Sequence, residues 1–199
     1  SSVSGTVKGI ETIFDLAGNP CKAVVITVEG DEWVETIDRS DKIEKEIKLE
    51  AKEIIEKIKE CGVVGLGGAT FPTNVKLSPP PGKKAEFLII NGAECEPYLT
   101  SDYRVLLEMP EQVLIGAQIM MKALNVTQGF IGIEENKPEA IKVMSEKAKA
   151  YPQIKIVPLK KKYPQGGEKQ LIDAVVGRKV HSMGLPIDTA AVVQNVGTA

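Results

Sequence analysis

The sequence predicts an α/β protein: a Rossmann-like, mostly parallel sheet with flanking helices, preceded by a small β-rich segment. Three observations support this fold class. The first 38 residues are rich in β-branched residues, residues 41–61 show helical periodicity, and strand-like and helix-like runs alternate from residue 86 onward. The 199 residues are 43% hydrophobic and 26% charged, which is typical of a globular protein with a core. We predict two regions, residues 1–38 and residues 39–199.

The first region reads as short strands separated by turns. Val3–Ile10 and Ala23–Val28 carry the β-branched residues, and turn-forming residues lie at Leu16–Pro20 and Glu29–Asp31. Trp33–Ile37 is a candidate third strand.

The next element is predicted as an amphipathic helix over Asp41–Cys61. Ser40 or Asp41 is the expected N-cap, Asp41 and Glu44 resemble a capping box, and Gly62 can end the helix in the left-handed conformation. Its apolar residues recur every three or four positions, at Ile43, Ile47, Ala51, Ile54, Ile55 and Ile58.

Strands and helices then alternate to the end of the sequence. This alternation predicts a mostly parallel sheet with helices packed on its faces. The predicted strands are Glu86–Asn91, Gln128–Ile133, Ile154–Val157 and Ala190–Gln194, and the predicted helices are Pro110–Leu124, Pro138–Ala150 and Gly167–Val176.

Composition argues against several classes of function. A net charge of −2 lacks the basic surface that nucleic-acid binding needs, and no apolar run is long enough to span a bilayer. Cys21, Cys61 and Cys95 form no Cys-x-x-Cys motif, so we expect no metal site, and His181 is the only histidine. Because the chain begins at Ser1 without a methionine or leader, we expect it to be a piece of a longer protein.

The first unusual loop runs from Gly62 to Lys76 and has four glycines within residues 62–68. Glycines remove side chains and allow positive φ, so a flat or phosphorylated ligand can approach the backbone closely. Phe71 adds an aromatic face and Lys76 a cation. The loop is not a P-loop, because no Gly-Lys-Ser/Thr follows, and it lacks the usual dinucleotide fingerprint. By itself, a plain structural loop is an equally good interpretation.

Two further loops lie next to predicted strands or helices. Asn91–Arg104 follows a buried strand, where open parallel sheets bind ligands, and Glu94 and Glu96 can receive the hydroxyls of a nucleotide. These carboxylates are equally compatible with an ordinary polar connection, and two of them are too few for a metal site. Tyr163–Gln170 places a glycine pair before a helix, where amide groups favour an anion.

Together these loops resemble the nucleotide-binding core of RnfC, the peripheral subunit of the Rnf electron-transport complex, and more distantly the flavoprotein subunit of respiratory complex I. The resemblance covers residues 40–199, and residues 1–38 look like part of the barrel-sandwich region that precedes that core. The matching segments are Gly65–Leu77, Asn91–Pro97 with Asp102 and Arg104, Tyr163–Leu171, and Gln194–Thr198.

The resemblance implies hydride transfer between NADH and a noncovalently held FMN, followed by electron transfer to 4Fe-4S clusters. Lys76 would pair with the FMN phosphate, Phe71 would stack on the dinucleotide, and Tyr163 and Gly166 would lie at the flavin edge. The slot for the two stacked rings is implied at three glycines, Gly65, Gly67 and Gly68.

The resemblance also implies polar contacts to both cofactors. Asn91, Gln194 and Asn195 would hydrogen-bond the ribityl chain and phosphate, and Glu94 and Glu168 would hold the nicotinamide ribose or carboxamide. None of these residues is expected to be a general acid or base. The cofactors supply the chemistry, and the protein orients them.

This sequence departs from the complex I pattern at four positions. Leu66 replaces an arginine and Thr70 a glycine, while Ala93 and Gly167 replace acidic residues. These differences favour RnfC over complex I, and they leave two alternatives open: a cobalamin reductase-type flavoprotein core, or a non-catalytic scaffold of the same fold.

The resemblance further implies a place in a larger assembly. The partners would be NAD(H) and the membrane subunits of the complex, at the cytoplasmic side of the cell membrane, with neither nucleic acid nor direct membrane insertion. The family's 4Fe-4S cluster segment is expected only in a C-terminal part that these 199 residues lack.

Overall fold

A computed structural model describes residues 3–15, 17–40 and 42–199 of the chain. The chain divides into two compact units, Ser1–Lys42 and Ile43–Ala199.

The first unit contains an antiparallel hairpin of β1 (Gly5–Phe14) and β2 (Pro20–Val28). The carboxylate of Asp15 accepts the N–H groups of Ala17 and Asn19 at 2.9 and 2.8 Å, which is the local hydrogen bonding expected of an Asx turn. Leu16 of the predicted turn lies outside the described residues.

The predicted third strand at Trp33–Ile37 is wrong. The segment instead turns on itself, because the N–H of Ile37 donates to the carbonyl of Val34 at 2.9 Å. The Trp33 indole donates to Asp31, and Arg39 lies over the indole ring, so local contacts replace strand pairing. The barrel-sandwich likeness of residues 1–38 remains a prediction.

The second unit begins with a segment that has no regular secondary structure, and not with the predicted helix start. Helix α1 spans Ala51–Glu60, and the amide of Glu50 donates to the carboxylate of Glu53 at 2.7 Å at its N-terminus. In the preceding segment the carbonyl of Ile47 accepts a hydrogen bond from Nζ of Lys122 at 3.1 Å, in place of a backbone N–H of a helix. The predicted cap at Ser40 is therefore wrong, and Asp41 lies outside the described residues. The predicted end is confirmed, because Gly62 has φ +67°.

Four parallel strands form the sheet of this unit. They are β3 (Phe87–Gly92), β4 (Gln128–Glu134), β5 (Ile154–Leu159) and β6 (Ala191–Asn195), in the order β5-β4-β3-β6. Every pairing is parallel, which confirms the predicted fold class.

Five more helices connect and cover the strands. The sequence predicted α4, α5 and α6 closely, but it did not predict α2, which lies inside the first unusual loop, or α3, which begins inside the second and continues beyond it. The helices are α2 (Thr73–Lys76), α3 (Ser101–Glu108), α4 (Pro110–Leu124), α5 (Pro138–Lys147) and α6 (Glu168–Val176), with short 3-10 turns at Ala148–Ala150 and Pro186–Thr189.

Both faces of the sheet are buried. Leu88 and Ile90 of β3 pack into a core with α4 and α5, while Ile89 between them packs on the opposite face against Leu171 and Ile172 of α6. This arrangement explains why the apolar residues of β3 form a continuous run and do not alternate with polar ones. In the part of the chain that the structure describes, no helix has the length and apolar character needed to cross a membrane.

Candidate functional site

A cleft of about 720 Å³ runs along the edge strand β6, from Ala191 to Asn195, and is also lined by Asn91 of β3 and by the glycine-rich loop. It includes the carboxyl ends of β3 and β6, where open parallel sheets bind ligands. Among the described residues that line it, Lys76 and Glu168 are the only charged ones. The glycine loop contributes residues 65–71, and the remaining walls come from Val75, Ser78–Pro80, Asn91, Gly166, Leu185–Ile187 and residues 191–195.

The glycine loop folds back on itself and turns its backbone toward the cleft. Val64 and Pro72 form an antiparallel bridge, and the N–H of Gly65 donates to the carbonyl of Phe71 at 2.8 Å. Gly67 has φ +70°, and Thr70 adopts φ +52°, a left-handed conformation that costs a side-chain-bearing residue free energy. A Cβ added at Gly68 would meet nothing within 4 Å, so open space borders the backbone there.

The turn after β6 holds this loop in place. The N–H of Leu66 donates to the Thr198 hydroxyl at 2.9 Å, across 132 residues of sequence. A Cβ added at Gly67 would lie 3.0 Å from Nδ2 of Asn195, so the loop backbone approaches the Asn195 carboxamide closely. Glycine at position 67 is thus favoured both by its positive φ and by this close contact.

The carboxamide of Asn195 is itself held from both ends. Its Nδ2 donates to Asp102 at 2.7 Å, and its Oδ1 accepts the N–H of Gly197 at 2.7 Å. Burial raises the pKa of Asp102, the hydrogen bond from Asn195 opposes that rise, and the nearby charge of Glu94 adds to it. Asp102, which does not itself line the cleft, therefore helps to orient the side chain of Asn195.

The two charged residues of the cleft contact each other. Nζ of Lys76, at the end of α2, lies 2.6 Å from Oε1 of Glu168, the first residue of α6. Their side chains are 29% and 38% exposed, so the pair is neither enclosed nor fully solvated.

Asn91 joins the end of β3 to the start of α6. Its Nδ2 donates to the carbonyl of Gly166 at 2.9 Å, and its Oδ1 accepts the N–H of Ala93 at 3.0 Å. A Cβ at Gly166 would lie 2.6 Å from the carbonyl oxygen of Ala93, so only glycine fits this approach. The predicted loops around residues 91 and 166 are thus one structural unit.

Gln194 is a buried polar residue in the cleft wall. It is 3% exposed, and its Nε2 has no hydrogen-bond partner within the described residues. An unpaired buried donor is costly unless a ligand or water satisfies it. The open space at the backbone of Gly68 and the ion pair of Lys76 with Glu168 give the cleft room for a flat ligand with polar groups.

The structure brings ten of the thirteen predicted site residues to the cleft, and places the other three elsewhere. The ten are Gly65, Gly67, Gly68, Phe71, Lys76, Asn91, Gly166, Glu168, Gln194 and Asn195. Glu96 and Tyr163 are exposed and do not line it. Glu94 also lies outside it, so the cofactor contacts predicted for these three remain predictions.

Glu94 instead acts at the start of α3. Its carboxylate accepts the N–H groups of Asp102 at 3.1 Å and Tyr103 at 3.4 Å, and Lys137 lies 3.8 Å away. The side chain is only 4% exposed. Carboxylates at a helix N-terminus stabilise it by accepting its free amides.

Glu134, at the end of β4, is the neighbouring buried acid. It is 1% exposed, and neither carboxylate oxygen has a partner among the described residues. Burial raises its pKa, Lys137 and Lys161 oppose that rise, and Glu94 adds to it.

Sequence reasoning did not find several residues that shape the site. Thr198 and Asp102 matched the family segments without a role, and Leu185–Ile187 carried no motif at all. A 3-10 turn brings that last segment to the cleft, and no local pattern could have indicated it.

Fold and site together define a Rossmann-like α/β protein with a ligand cleft at the carboxyl edge of a parallel sheet. Residues 58–199 match the family model of the Nuo51 FMN-binding domain. The chain belongs to this family.

Curated relatives confirm the resemblance to the Rnf protein. The chain is 52% identical over 199 residues to the subunit designated C of the proton-translocating ferredoxin:NAD(+) oxidoreductase complex of Clostridium ljungdahlii. It is 44% identical over 200 residues to the Na(+)-translocating counterpart of Acetobacterium woodii. Both alignments include the whole of this chain, but they cover only 43% and 44% of the two relatives. The chain therefore spans less than half of their length.

Solved structures share the fold. The chain of an NAD+-reducing [NiFe]-hydrogenase in the air-oxidized state matches with a TM-score of 0.59 at 24% identity. The match covers 75% of this chain and 29% of that one. At this level of identity the likeness concerns the fold alone.

Proposed function

We propose that the chain is the FMN- and NADH-binding core of an RnfC-type subunit of an ion-translocating ferredoxin:NAD oxidoreductase complex. One observation carries the proposal: open space at the backbone of Gly68 and the cation Lys76 border one cleft in a domain of the FMN-binding family. When bound there, FMN would accept hydride from NADH and pass electrons on singly.

The residues of the cleft divide the work of binding such a cofactor. The side-chain-free backbone of Gly68 would leave room for a planar ring, and Phe71 at the rim adds apolar surface. Lys76 would neutralise the flavin phosphate as a point charge. Gln194 would place its unpaired donor against an acceptor of the cofactor.

Orientation would come from residues that are already fixed. Asn195 is held by Asp102 and Gly197, and Asn91 by Gly166 and Ala93, so neither carboxamide needs to reorganise when a ligand enters. Preorganised polar groups reduce the cost of binding and set the ring in a defined plane.

The test is a titration of the purified chain with FMN, followed by flavin fluorescence and by absorbance. We expect quenched, bound flavin, and bleaching of its absorbance when NADH is added without oxygen. Binding without bleaching would restrict the proposal to flavin binding. If the folded chain binds no flavin, the proposal fails, and a non-catalytic scaffold of the same fold becomes the better account.

The setting of the whole protein is part of the proposal. The relatives belong to multisubunit ion-translocating complexes, which supports membrane subunits as partners and a peripheral position at the cytoplasmic side of the membrane. The 4Fe-4S clusters that would receive the electrons are expected in protein beyond these 199 residues. Cofractionation of the native protein with such a complex would test this.

A further inference from the structure

Lys76 has a partner in the cleft before any anionic ligand arrives. Its ammonium lies 2.6 Å from the Glu168 carboxylate, and these are the only two charges among the described lining residues. The net charge of the lining is therefore close to zero. A phosphate group entering the cleft would meet a cation that is already neutralised.

The Lys76 ammonium has three N–H donors, but two anions that share it repel each other. A carboxylate and a phosphate on the same Nζ would lie about 5–6 Å apart, and at that distance two like charges in a partly desolvated site repel each other appreciably. A phosphate monoester carries about −1.5 to −2 charges at neutral pH, against −1 for a carboxylate, so the phosphate is the stronger partner for Lys76.

Glu168 can be released from Lys76 without losing all stabilisation. It is the first residue of α6, a helix of nine residues, and a carboxylate at this position is favoured by the helix dipole. Its 38% exposure also keeps it partly solvated. The ion pair can therefore open at modest cost.

We propose that the Lys76–Glu168 ion pair is an exchangeable latch, in which the phosphate of the bound flavin takes Lys76 and leaves the Glu168 carboxylate free in the cleft. This inference rests on the proposed function. Glu168 thus affects which ligands bind tightly, because its carboxylate competes only with ligands whose anionic group must contact Lys76.

The experiment compares FMN with riboflavin, which differ in the phosphate. Dissociation constants for both are measured by flavin fluorescence in the 199-residue chain and in Glu168→Gln. Removing the carboxylate should tighten FMN binding about threefold to tenfold and leave riboflavin binding unchanged. Asp173→Asn, an exposed acid on the same helix outside the cleft, is the matched control and should change neither constant.

A second pair of variants separates exchange from simple repulsion. In the Lys76→Met background, Glu168→Gln should no longer tighten FMN binding, because there is no cation left to release. A gain that persists without Lys76 would overturn the latch, since Glu168 would then repel the phosphate directly.

The remaining outcomes distinguish the two proposals. If flavins bind but Glu168→Gln leaves the ratio of FMN to riboflavin affinity unchanged, the latch is wrong and the proposed function stands. If neither flavin binds the folded wild-type chain, the proposed function is wrong and the latch falls with it. Circular dichroism of each variant confirms that folded protein was compared.

Discussion

At the carboxyl ends of β3 and β6 the structure leaves an ion pair open to a ligand, whereas beside β3 and β4 it encloses two glutamates within protein. Glu168 on the open side is 38% exposed and contacts a cation. On the closed side, Glu94 is 4% exposed with helix amides as partners, and Glu134 is 1% exposed with no partner for its oxygens among the described residues.

This difference shows that acidic residues near the same sheet serve two purposes: Glu168 is accessible to a ligand, whereas Glu94 stabilises the fold. The open side can exchange partners, because its charges are partly solvated and no helix end depends on them alone. The closed side cannot, because Glu94 satisfies the first amides of α3 and that helix presents Asp102 to Asn195. Four predictions test this division, beginning with the largest effect.

Gly67→Val should abolish flavin binding. A β-branched residue at φ +70° is strained, and its Cβ would lie 3.0 Å from Nδ2 of Asn195, which displaces the open side's wall. The measurement is an FMN titration with thermal unfolding as a check on folding. Gly177→Val is the control, because Gly177 has φ +67° and open surroundings outside the cleft. Normal flavin loading in Gly67→Val would refute the placement of the ring.

Lys76→Ala should weaken FMN binding by about 1–3 kcal/mol, the range of a charged hydrogen bond, while riboflavin affinity stays the same. Isothermal titration with both ligands measures the difference. Lys45→Ala serves as the control. Nζ of Lys45 lies 2.6 Å from Oε1 of Glu111, and neither residue lines the cleft. Equal loss for both flavins would mean that Lys76 shapes the cleft and does not contact the phosphate.

Glu94→Ala should lower the free energy of unfolding by about 1–2 kcal/mol, because the first amides of α3 lose their acceptor. Urea unfolding measures this, and Glu96→Ala, at an exposed neighbour, should have little effect. A variant that keeps its stability but loses NADH binding would instead support the ligand contact predicted for Glu94 from the sequence.

Glu134→Gln should change how stability depends on pH. Burial raises the pKa of Glu134 when folded, so the native state holds its proton more tightly than the unfolded state. The wild type should therefore lose stability relative to Glu134→Gln as pH rises through the ordinary glutamate pKa of 4.5 toward the raised value. Unfolding free energies of both proteins from about pH 4 to about pH 7 test this. A constant difference would mean that Lys137 and Lys161 compensate the buried charge.

The sequence by itself determined the elements whose signals are local. The four strands of the sheet contain short apolar stretches, and the glycine loop is evident from its composition. Helix α4 begins at Pro110 and ends before Asn125, which adopts the left-handed conformation. The ten predicted residues that line the cleft were identified from motifs that occur in order along the chain, and their contacts to a cofactor remain predictions.

Only the tertiary structure decided where helix α1 begins and which partner each polar side chain contacts. Periodicity suggested a helix from residue 41, but Lys122 holds the carbonyl of Ile47 and α1 begins at Ala51. Glu94 and Glu168 look alike in sequence, yet one caps α3 and the other pairs with Lys76 across 92 residues. Such contacts join residues far apart in the chain, and their free energy depends on burial and distance, which neighbouring residues do not encode.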